Sequence, residues 1–154
     1  MASDLTKAKT LALAVPAALM LGALGSQYIG GLYPCEMCHW QRWPHEAALV
    51  FALFAIGLRN EKTDRLFVAL AALGIFISGA IGVFHAGVEY KWWEGLTTCS
   101  TTAAGLSIED IMSAPMIRCD EPQWKIFGIS MAGFNAMISI GAALYIAALL
   151  KRGR

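Results

Sequence analysis

Four long apolar stretches, separated by short polar segments, dominate the pattern of the chain. They cover residues 10–33, 44–58, 66–88 and 126–150. A transmembrane helix needs about 20 apolar residues to cross a hydrocarbon core of roughly 30 Å, and three of the stretches reach that length. Counting the shorter second stretch as a span keeps the charged flanks of all four on consistent sides of a membrane. The pattern predicts an all-α integral membrane protein, a four-transmembrane-helix bundle forming a single domain over residues 1–154.

Composition agrees with a membrane protein. Hydrophobic residues make up 57% of the 154 residues and charged residues 15%, with a mean hydropathy of +0.55, which is too apolar for an ordinary soluble domain. The first stretch also resembles a secretory signal, because a basic start precedes it and Ala23-Leu24-Gly25 could form a small-residue cleavage site. Its length and the three stretches that follow favour an uncleaved first span.

The basic residues predict how the chain is oriented. Eight of the twelve flank the stretches on one side, namely Lys7, Lys9, Arg59, Lys62, Arg65, Lys151, Arg152 and Arg154. The positive-inside rule places that side, with both termini, in the cytoplasm. The opposite side then carries the turn at residues 34–43 and a loop of about forty residues, 89–125, in which carboxylates outnumber basic residues.

Four cysteines fall on the predicted non-cytoplasmic side. Cys35 and Cys38 form a C-x-x-C motif before the second stretch, and Cys99 and Cys119 lie in the long loop. An even number of cysteines in an oxidising compartment indicates two disulfides. Three pairings are possible. The two-residue gap favours a local Cys35–Cys38 bridge, which leaves Cys99 for Cys119.

Three roles compete for these cysteines: structural bridges, a zinc site and redox exchange. A C-x-x-C ring is a poor structural bridge, because short loops constrain the unfolded chain least and tend to be strained. The second pair lacks the local spacing of zinc ligands, so no metal is expected. The run from Cys35 to His39 also has the form of a haem-attachment motif, but this turn offers no domain to enclose a porphyrin. Redox exchange is therefore favoured.

Two side chains near the C-x-x-C motif and the third stretch are candidates for the same chemistry. If the chain is helical near Cys38, Arg42 lies one turn further on, where its guanidinium and a helix N-terminus would stabilise a thiolate. Pro44 suggests that the regular helix begins close to that position. The alternative for Arg42 is contact with lipid headgroups. His85 either pairs with Glu89, one helical turn away, or hydrogen-bonds a bound cofactor.

The ordered set of motifs on four predicted spans resembles the bacterial DsbB family of disulfide bond formation proteins. The resemblance covers nearly the whole chain. It is carried by the segment Pro34 to Arg42, by His85 with Glu89 to Trp93, by Cys99, by Cys119 to Trp124, and by Phe127 to Met131.

The resemblance implies a quinone-dependent thiol oxidase of the bacterial inner membrane. A periplasmic, DsbA-like protein of thioredoxin fold would form a mixed disulfide at Cys99, and Cys119 would then attack Cys35. Cys38, released as a thiolate, would lie against a bound quinone, either ubiquinone or menaquinone. The residues implied to line the quinone site are Arg42, His85 and Met131.

The implied activity is therefore a protein-dithiol:quinone oxidoreductase that generates disulfides, with membrane lipid and quinone as further partners and no nucleic acid. A reductase of the vitamin K epoxide reductase type is one alternative, although its C-x-x-C normally lies nearer the end of the chain. A non-catalytic membrane scaffold held by disulfides is another. The segment between Cys99 and Cys119 looks shorter than in the best-known members of the DsbB family, which leaves the choice of partner open.

Overall fold

Four helices account for most of the residues that the computed structural model describes, which are 2–58, 60–96, 100–101 and 116–152. They are α1 (Ala2–Tyr28), α2 (Glu36–Gly57), α3 (Glu61–Glu89) and α4 (Met131–Arg152). The described part agrees with the predicted helical bundle. Cys99 lies outside the described residues, as do residues 97–98 and 102–115 of the long loop, so the prediction for Cys99 stays a prediction.

The helices form one bundle in which α3 is central. Both α2 and α4 pack along α3, and α1 contacts α2 and α4. Small side chains dominate the buried core, among them Ala48, Ala52, Ala71 and Ala143. Small residues let helix backbones approach closely, which is how helices associate in a membrane, where lipid tails are as apolar as the side chains.

Three helices in the described part of the chain are long and apolar enough to cross a membrane, at Asp4–Tyr28, Glu61–Glu89 and Met131–Arg152. The chain is thus a membrane protein by length and composition of its helices. Helix α2 is long as well, with 22 residues, but its first half carries Glu36, Arg42 and other polar side chains. Some of these side chains, Arg42 among them, belong to the candidate redox site described below.

Helix α2 begins earlier than the sequence suggests. Its N-cap is Cys35, whose sulfur accepts the backbone N–H of Cys38 at 3.3 Å. The expectation that the helix starts near Pro44 is therefore wrong, because Pro44 lies inside the helix. Pro44 has no N–H to donate to the Trp40 carbonyl, four residues earlier. The Ser78 hydroxyl of α3 donates to the neighbouring carbonyl, that of Gln41, at 2.7 Å.

Two short antiparallel strand pairs lie in the described part of the polar segment between α3 and α4. Strand β1 (Ser100–Thr101) pairs with β2 (Met116–Ile117), and β3 (Lys125–Ile126) pairs with β4 (Ile129–Ser130). Phe127 and Gly128 join the second pair with φ values of 50° and 81°. Positive φ at both central residues is typical of a type I′ hairpin turn. This hairpin occupies the start of the fourth apolar stretch, so α4 begins at Met131 instead of near residue 126.

The close approach of α3 and α4 gives a stability test. A Cβ atom added at Gly79 would lie 2.8 Å from Ile140 Cγ1 and 3.0 Å from Ser139 Cβ, whereas one at Gly141 would have no atom within 4 Å. We expect Gly79→Ala to destabilise the bundle by about 1–3 kcal/mol through overpacking. Gly141→Ala should be neutral or stabilising, by up to about 1 kcal/mol. Thermal unfolding of the detergent-solubilised variants measures both, and equal stabilities would contradict this packing.

Candidate redox site

Three cysteines meet where α2 begins and α3 ends. The sulfur atoms of Cys35 and Cys38 are 2.7 Å apart. The sulfurs of Cys35 and Cys119 and a ring nitrogen of His85 all lie within 4.8 Å of one another. Cys35 and Cys119 are buried, and Cys38 is half-buried. The fold thus brings a loop cysteine next to the C-x-x-C motif, with Cys35 between the other two sulfurs.

The cluster also contains donor types that zinc prefers. Two thiolates on one tetrahedral zinc lie about 3.8 Å apart, given zinc–sulfur bonds near 2.3 Å. The Cys35 and Cys38 sulfurs are closer than that, at 2.7 Å. The C-x-x-C pair is therefore arranged for exchange between sulfurs more than for joint metal coordination.

Charged side chains beside Cys119 fix the segment that carries it. The Asp120 carboxylate accepts hydrogen bonds from Lys91 Nζ at 2.6 Å and from Arg118 at 2.7 and 2.9 Å. The two cations, Arg118 most strongly, hold the pKa of Asp120 well below its usual range. Asp120 consequently stays ionised, and its ion pair with Lys91 connects the Cys119 segment to the residues that follow α3.

His85 lies between a sulfur and a carboxylate. Its Nε2 atom is 3.6 Å from Cys35 Sγ and 3.8 Å from Glu89 Oε1, and the backbone of Cys119 also hydrogen-bonds this histidine. Hydrogen bonds with Cys119 and Cys38, together with burial, raise the pKa of the Cys35 thiol. These contacts and burial thus make the Cys35 thiol a weaker acid than an ordinary cysteine.

A chain of buried polar side chains, which the sequence reasoning missed, runs from His85 into the bundle. Gln41 Nε2 donates to His85 Nδ1 at 2.8 Å and to the Met37 carbonyl at 3.2 Å. Gln41 Oε1 accepts from Asn135 Nδ2 of α4 at 2.8 Å. Asn135 in turn contacts His45, Ser78 and Ser139.

This network determines which nitrogen of His85 carries the proton. Because Gln41 Oε1 accepts from Asn135, the Gln41 amide nitrogen faces His85 and can only donate. His85 Nδ1 must then be the acceptor, and the proton of the neutral ring lies on Nε2, directed at Cys35 Sγ. A signal for this arrangement was present in the sequence, since Gln41, His45 and Asn135 are polar residues within otherwise apolar helices.

A cavity of about 880 Å³ opens beside the cysteines, between α1, α2 and α4. Its wall is mainly apolar. Cys35 and Cys38 lie on this wall. The three residues predicted to line a cofactor site are on it too, namely Arg42, His85 and Met131.

Arg42 reaches across the cavity to α1. Its guanidinium donates to Gln27 Oε1 at 2.6 Å and to the Ala23 carbonyl at 3.3 Å. These hydrogen bonds direct the guanidinium at the last turns of α1, whereas the sequence suggested that it would stabilise a thiolate at Cys38. The positive charge nevertheless lines the same cavity as Cys38.

The polar network makes a prediction about stability. Asn135→Ala removes the donor to Gln41 Oε1 and leaves buried polar atoms without partners, so we expect a loss of about 1–3 kcal/mol. Ser139→Ala is the matched control, because Asn135 Oδ1 keeps His45 as a partner at 3.0 Å; its loss should be about 0.5–1.5 kcal/mol. Equilibrium unfolding in mixed detergent micelles measures both. Equal losses of stability in the two variants would contradict the conclusion that Asn135 holds the network together.

The chain is similar to known proteins of one family. A model of the family described as disulfide bond formation protein DsbB matches residues 6–149. Disulfide bond formation protein B of Verminephrobacter eiseniae is 28% identical over 97% of this chain and 89% of its own length. That of Chromohalobacter salexigens is 30% identical over 82% and 69%, and an uncharacterized protein of Rickettsia prowazekii is 28% identical over 81% and 76%.

No solved structure matches the chain significantly. The family match alone covers nearly all of the sequence, including every cysteine and all four helices. The chain belongs to the DsbB family of disulfide bond formation proteins.

Proposed function

We propose that this protein is a membrane thiol:quinone oxidoreductase that reoxidises a periplasmic DsbA-like dithiol protein and passes the electrons to a membrane quinone. One observation carries the proposal. The sulfurs of Cys35, Cys38 and Cys119 meet beside a cavity of about 880 Å³ whose wall also includes Arg42 and His85. A thiol exchange centre and a site for a lipid-soluble acceptor are thereby adjacent.

The proposed topology has four spans. We take α2 as the fourth, since it packs along α3 and its buried polar side chains, Gln41 and His45, belong to the network and line the cavity. The excess of lysine and arginine at the opposite ends of the helices favours cytoplasmic termini. The cysteines and the long loop would then lie in the periplasm of a bacterial inner membrane.

The proposed relay begins at the long loop. The partner's thiolate attacks Cys99 of a Cys99–Cys119 disulfide, forming a mixed disulfide and releasing the Cys119 thiolate. Cys119 attacks Cys35 of the Cys35–Cys38 disulfide, so the Cys35–Cys38 bond breaks, a Cys35–Cys119 bond forms and Cys38 leaves as a thiolate. The partner's second thiol resolves the mixed disulfide, and the partner departs oxidised. Cys99 then attacks Cys119, which re-forms the Cys99–Cys119 disulfide and releases Cys35 as a thiolate. Cys35 and Cys38 would close to a disulfide again by giving two electrons, with two protons, to the quinone.

Geometry and charge support the middle step. Cys35 lies next to both Cys38 and Cys119, and exchange requires the attacked sulfur to be within reach of both. The raised pKa of Cys35 makes Cys38 the better leaving thiolate of the C-x-x-C pair,. His85 Nε2–H, directed at Cys35 Sγ, would orient that sulfur during the exchange.

The cavity has the character that a quinone needs. Its volume is typical of sites for small molecules, and it combines an apolar wall with a few polar groups,. Among the described residues, Oε2 of Glu89 is buried on this wall without a hydrogen-bond partner. A quinone would accept two electrons and two protons there. Arg42 would hold it by hydrogen bonding an oxygen, and His85 and Met131 would orient the ring.

The activity test uses purified protein, a reduced DsbA-like protein as electron donor and a short-tailed quinone followed by its absorbance. We expect thiol-dependent loss of quinone in the unmodified protein and none in Cys99→Ser. Cys38→Ser should also stop quinone reduction while still forming the mixed disulfide with the partner, because Cys38 acts after that step. Normal turnover in Cys38→Ser would contradict the relay. No activity in the unmodified protein, with disulfides that resist mild reductant, would favour a scaffold.

Arg42 provides a second test of the same site. Arg42→Ala should raise the apparent KM for quinone about tenfold or more, because a hydrogen bond from a charged donor is lost, while kcat changes less. Arg42→Lys is the matched control. Lysine keeps the positive charge but lacks the two terminal nitrogens with which arginine bonds Gln27 and Ala23 at once,. We therefore expect its KM for quinone to lie between those of the unmodified protein and Arg42→Ala. An unchanged KM in Arg42→Ala would remove this residue from the quinone site.

A further inference from the structure

The redox cluster brings together three side chains of the types that bind zinc. The sulfurs of Cys35 and Cys119 and a ring nitrogen of His85 lie within 4.8 Å of one another, and all three residues are buried. Cys35 Sγ is 3.6 Å from His85 Nε2. A tetrahedral zinc ion, with bonds of about 2.3 Å to sulfur and about 2.0 Å to nitrogen, holds such a pair about 3.5 Å apart. In the reduced protein, these three residues thus have the spacing of a zinc site.

Zinc bound to these residues would stop thiol exchange. The ion would displace the protons of the Cys35 and Cys119 thiols and hold both sulfurs as thiolates. This binding needs no oxidant, since the sulfurs stay reduced throughout. A cluster that is built for exchange between sulfurs is therefore open to inhibition by zinc, unless a neighbouring group opposes the ion.

The polar network supplies such a group at His85. A nitrogen that binds a metal ion cannot also carry a proton. Gln41 Nε2 lies 2.8 Å from His85 Nδ1 and 3.2 Å from the Met37 carbonyl oxygen. A carbonyl can only accept, so the Gln41 atom that makes both contacts is the amide nitrogen, which can only donate. Nδ1 of the neutral ring is then the acceptor, and the proton stays on Nε2.

This arrangement is the reverse of what a zinc site requires. A histidine that binds zinc through one nitrogen normally donates the N–H of the other nitrogen to an acceptor, such as a carboxylate or a carbonyl. Gln41 presents a donor at that position instead. For His85 Nε2 to bind zinc, the proton would have to move to Nδ1 and the hydrogen bond from Gln41 would be lost.

We propose that Gln41 protects the reduced cluster from zinc, because it holds His85 in the tautomer whose Nε2 atom cannot bind a metal ion. Cys35, Cys119 and His85 are then a latent zinc site, and Gln41 is the positioning residue that keeps the site weak. The inference goes beyond the proposed function, since it involves neither a quinone nor a partner protein.

The test measures the affinity of the reduced, detergent-solubilised full chain for zinc, by competition with a chromophoric chelator. Cys38→Ser and Cys99→Ser together form the background, in which Cys35 and Cys119 are the only thiols. Zinc sites that use other pairs of cysteines are thereby removed from the measurement. Circular dichroism verifies that each variant keeps its helices.

Gln41→Glu is the informative variant in this background. Its carboxylate can still accept from Asn135 Nδ2, and it offers His85 Nδ1 an acceptor in place of a donor. The ring proton should then move to Nδ1 and leave Nε2 free for the ion. We expect zinc to bind about tenfold to a hundredfold more tightly, the usual effect of a partner that orients a metal-binding histidine.

The added negative charge would attract zinc by itself, so the charge needs a control. His85→Ala provides it, because it removes the ligand and leaves the charge in place. We expect Gln41→Glu combined with His85→Ala to bind zinc within about twofold of His85→Ala alone, the residual effect of one nearby charge in a solvated site.

Nitrogen-15 NMR gives a second readout, which needs no zinc. Protonated and unprotonated ring nitrogens differ in chemical shift, and the spectrum of His85→Ala identifies the signals of His85 among the three histidines of the chain. We expect the proton on Nε2 in the background and on Nδ1 in Gln41→Glu. The measurement on the background holds whether or not the Gln41 variant folds.

The outcomes are distinct from those for the proposed function. A gain in zinc affinity that requires His85, together with the reversed tautomer, supports the inference. Equal zinc affinities with and without Gln41→Glu, a gain that persists in His85→Ala, or a proton on Nδ1 in the background would each overturn it. None of these results involves quinone reduction, so the proposed function stands or falls separately.

Discussion

The arrangement of the site depends on the hydrogen bond between Asn135 and Gln41, at 2.8 Å inside an apolar bundle. Polar side chains placed among apolar helices must find partners within the protein, because lipid offers none. Here α4 supplies the amide that directs the Gln41 side chain, and Gln41 in turn directs His85 at Cys35. A contact between α2 and α4 thereby controls the donor that faces the reactive sulfurs.

A second constraint acts from outside the bundle. The Cys119 sulfur must lie close to Cys35, which is 84 positions earlier in the chain. Cys119 lies outside the helices, so no helix holds its peptide in place. The ion pair of Asp120 with Lys91 holds that peptide against the end of α3, and Arg118 pairs with Asp120 within the peptide. Exposed ion pairs contribute little to overall stability. Their value here is positional, because they keep one loop cysteine close to the C-x-x-C motif.

Much of this organisation could be predicted from the sequence, and the parts that could not have identifiable causes. The apolar stretches predicted the helices, and the resemblance to the DsbB family is confirmed by the family match. The start of α2 was missed, because Pro44 looked like a first-turn residue, whereas Cys35 itself caps the helix. The start of α4 was missed because Phe127 is apolar, although its positive φ places it in a turn.

The polar network escaped prediction for a different reason. Gln41, His45 and Asn135 are far apart in sequence, and only helix packing shows that they form one chain of hydrogen bonds. Five of the predicted residues line one cavity, namely Cys35, Cys38, Arg42, His85 and Met131, and Cys119 lies next to Cys35. Their roles in the relay remain proposals, and Cys99 lies outside the described residues.

The central claim is that Cys119 and Cys35 exchange disulfides directly. The most direct measurement uses a variant with Cys38→Ser and Cys99→Ser, which leaves only that pair, oxidised mildly in detergent and then mapped by mass spectrometry of proteolytic peptides. The account predicts a Cys35–Cys119 disulfide within single chains, since their sulfurs already lie within 4.8 Å. Two thiols that stay free, or pair only between chains, would contradict it.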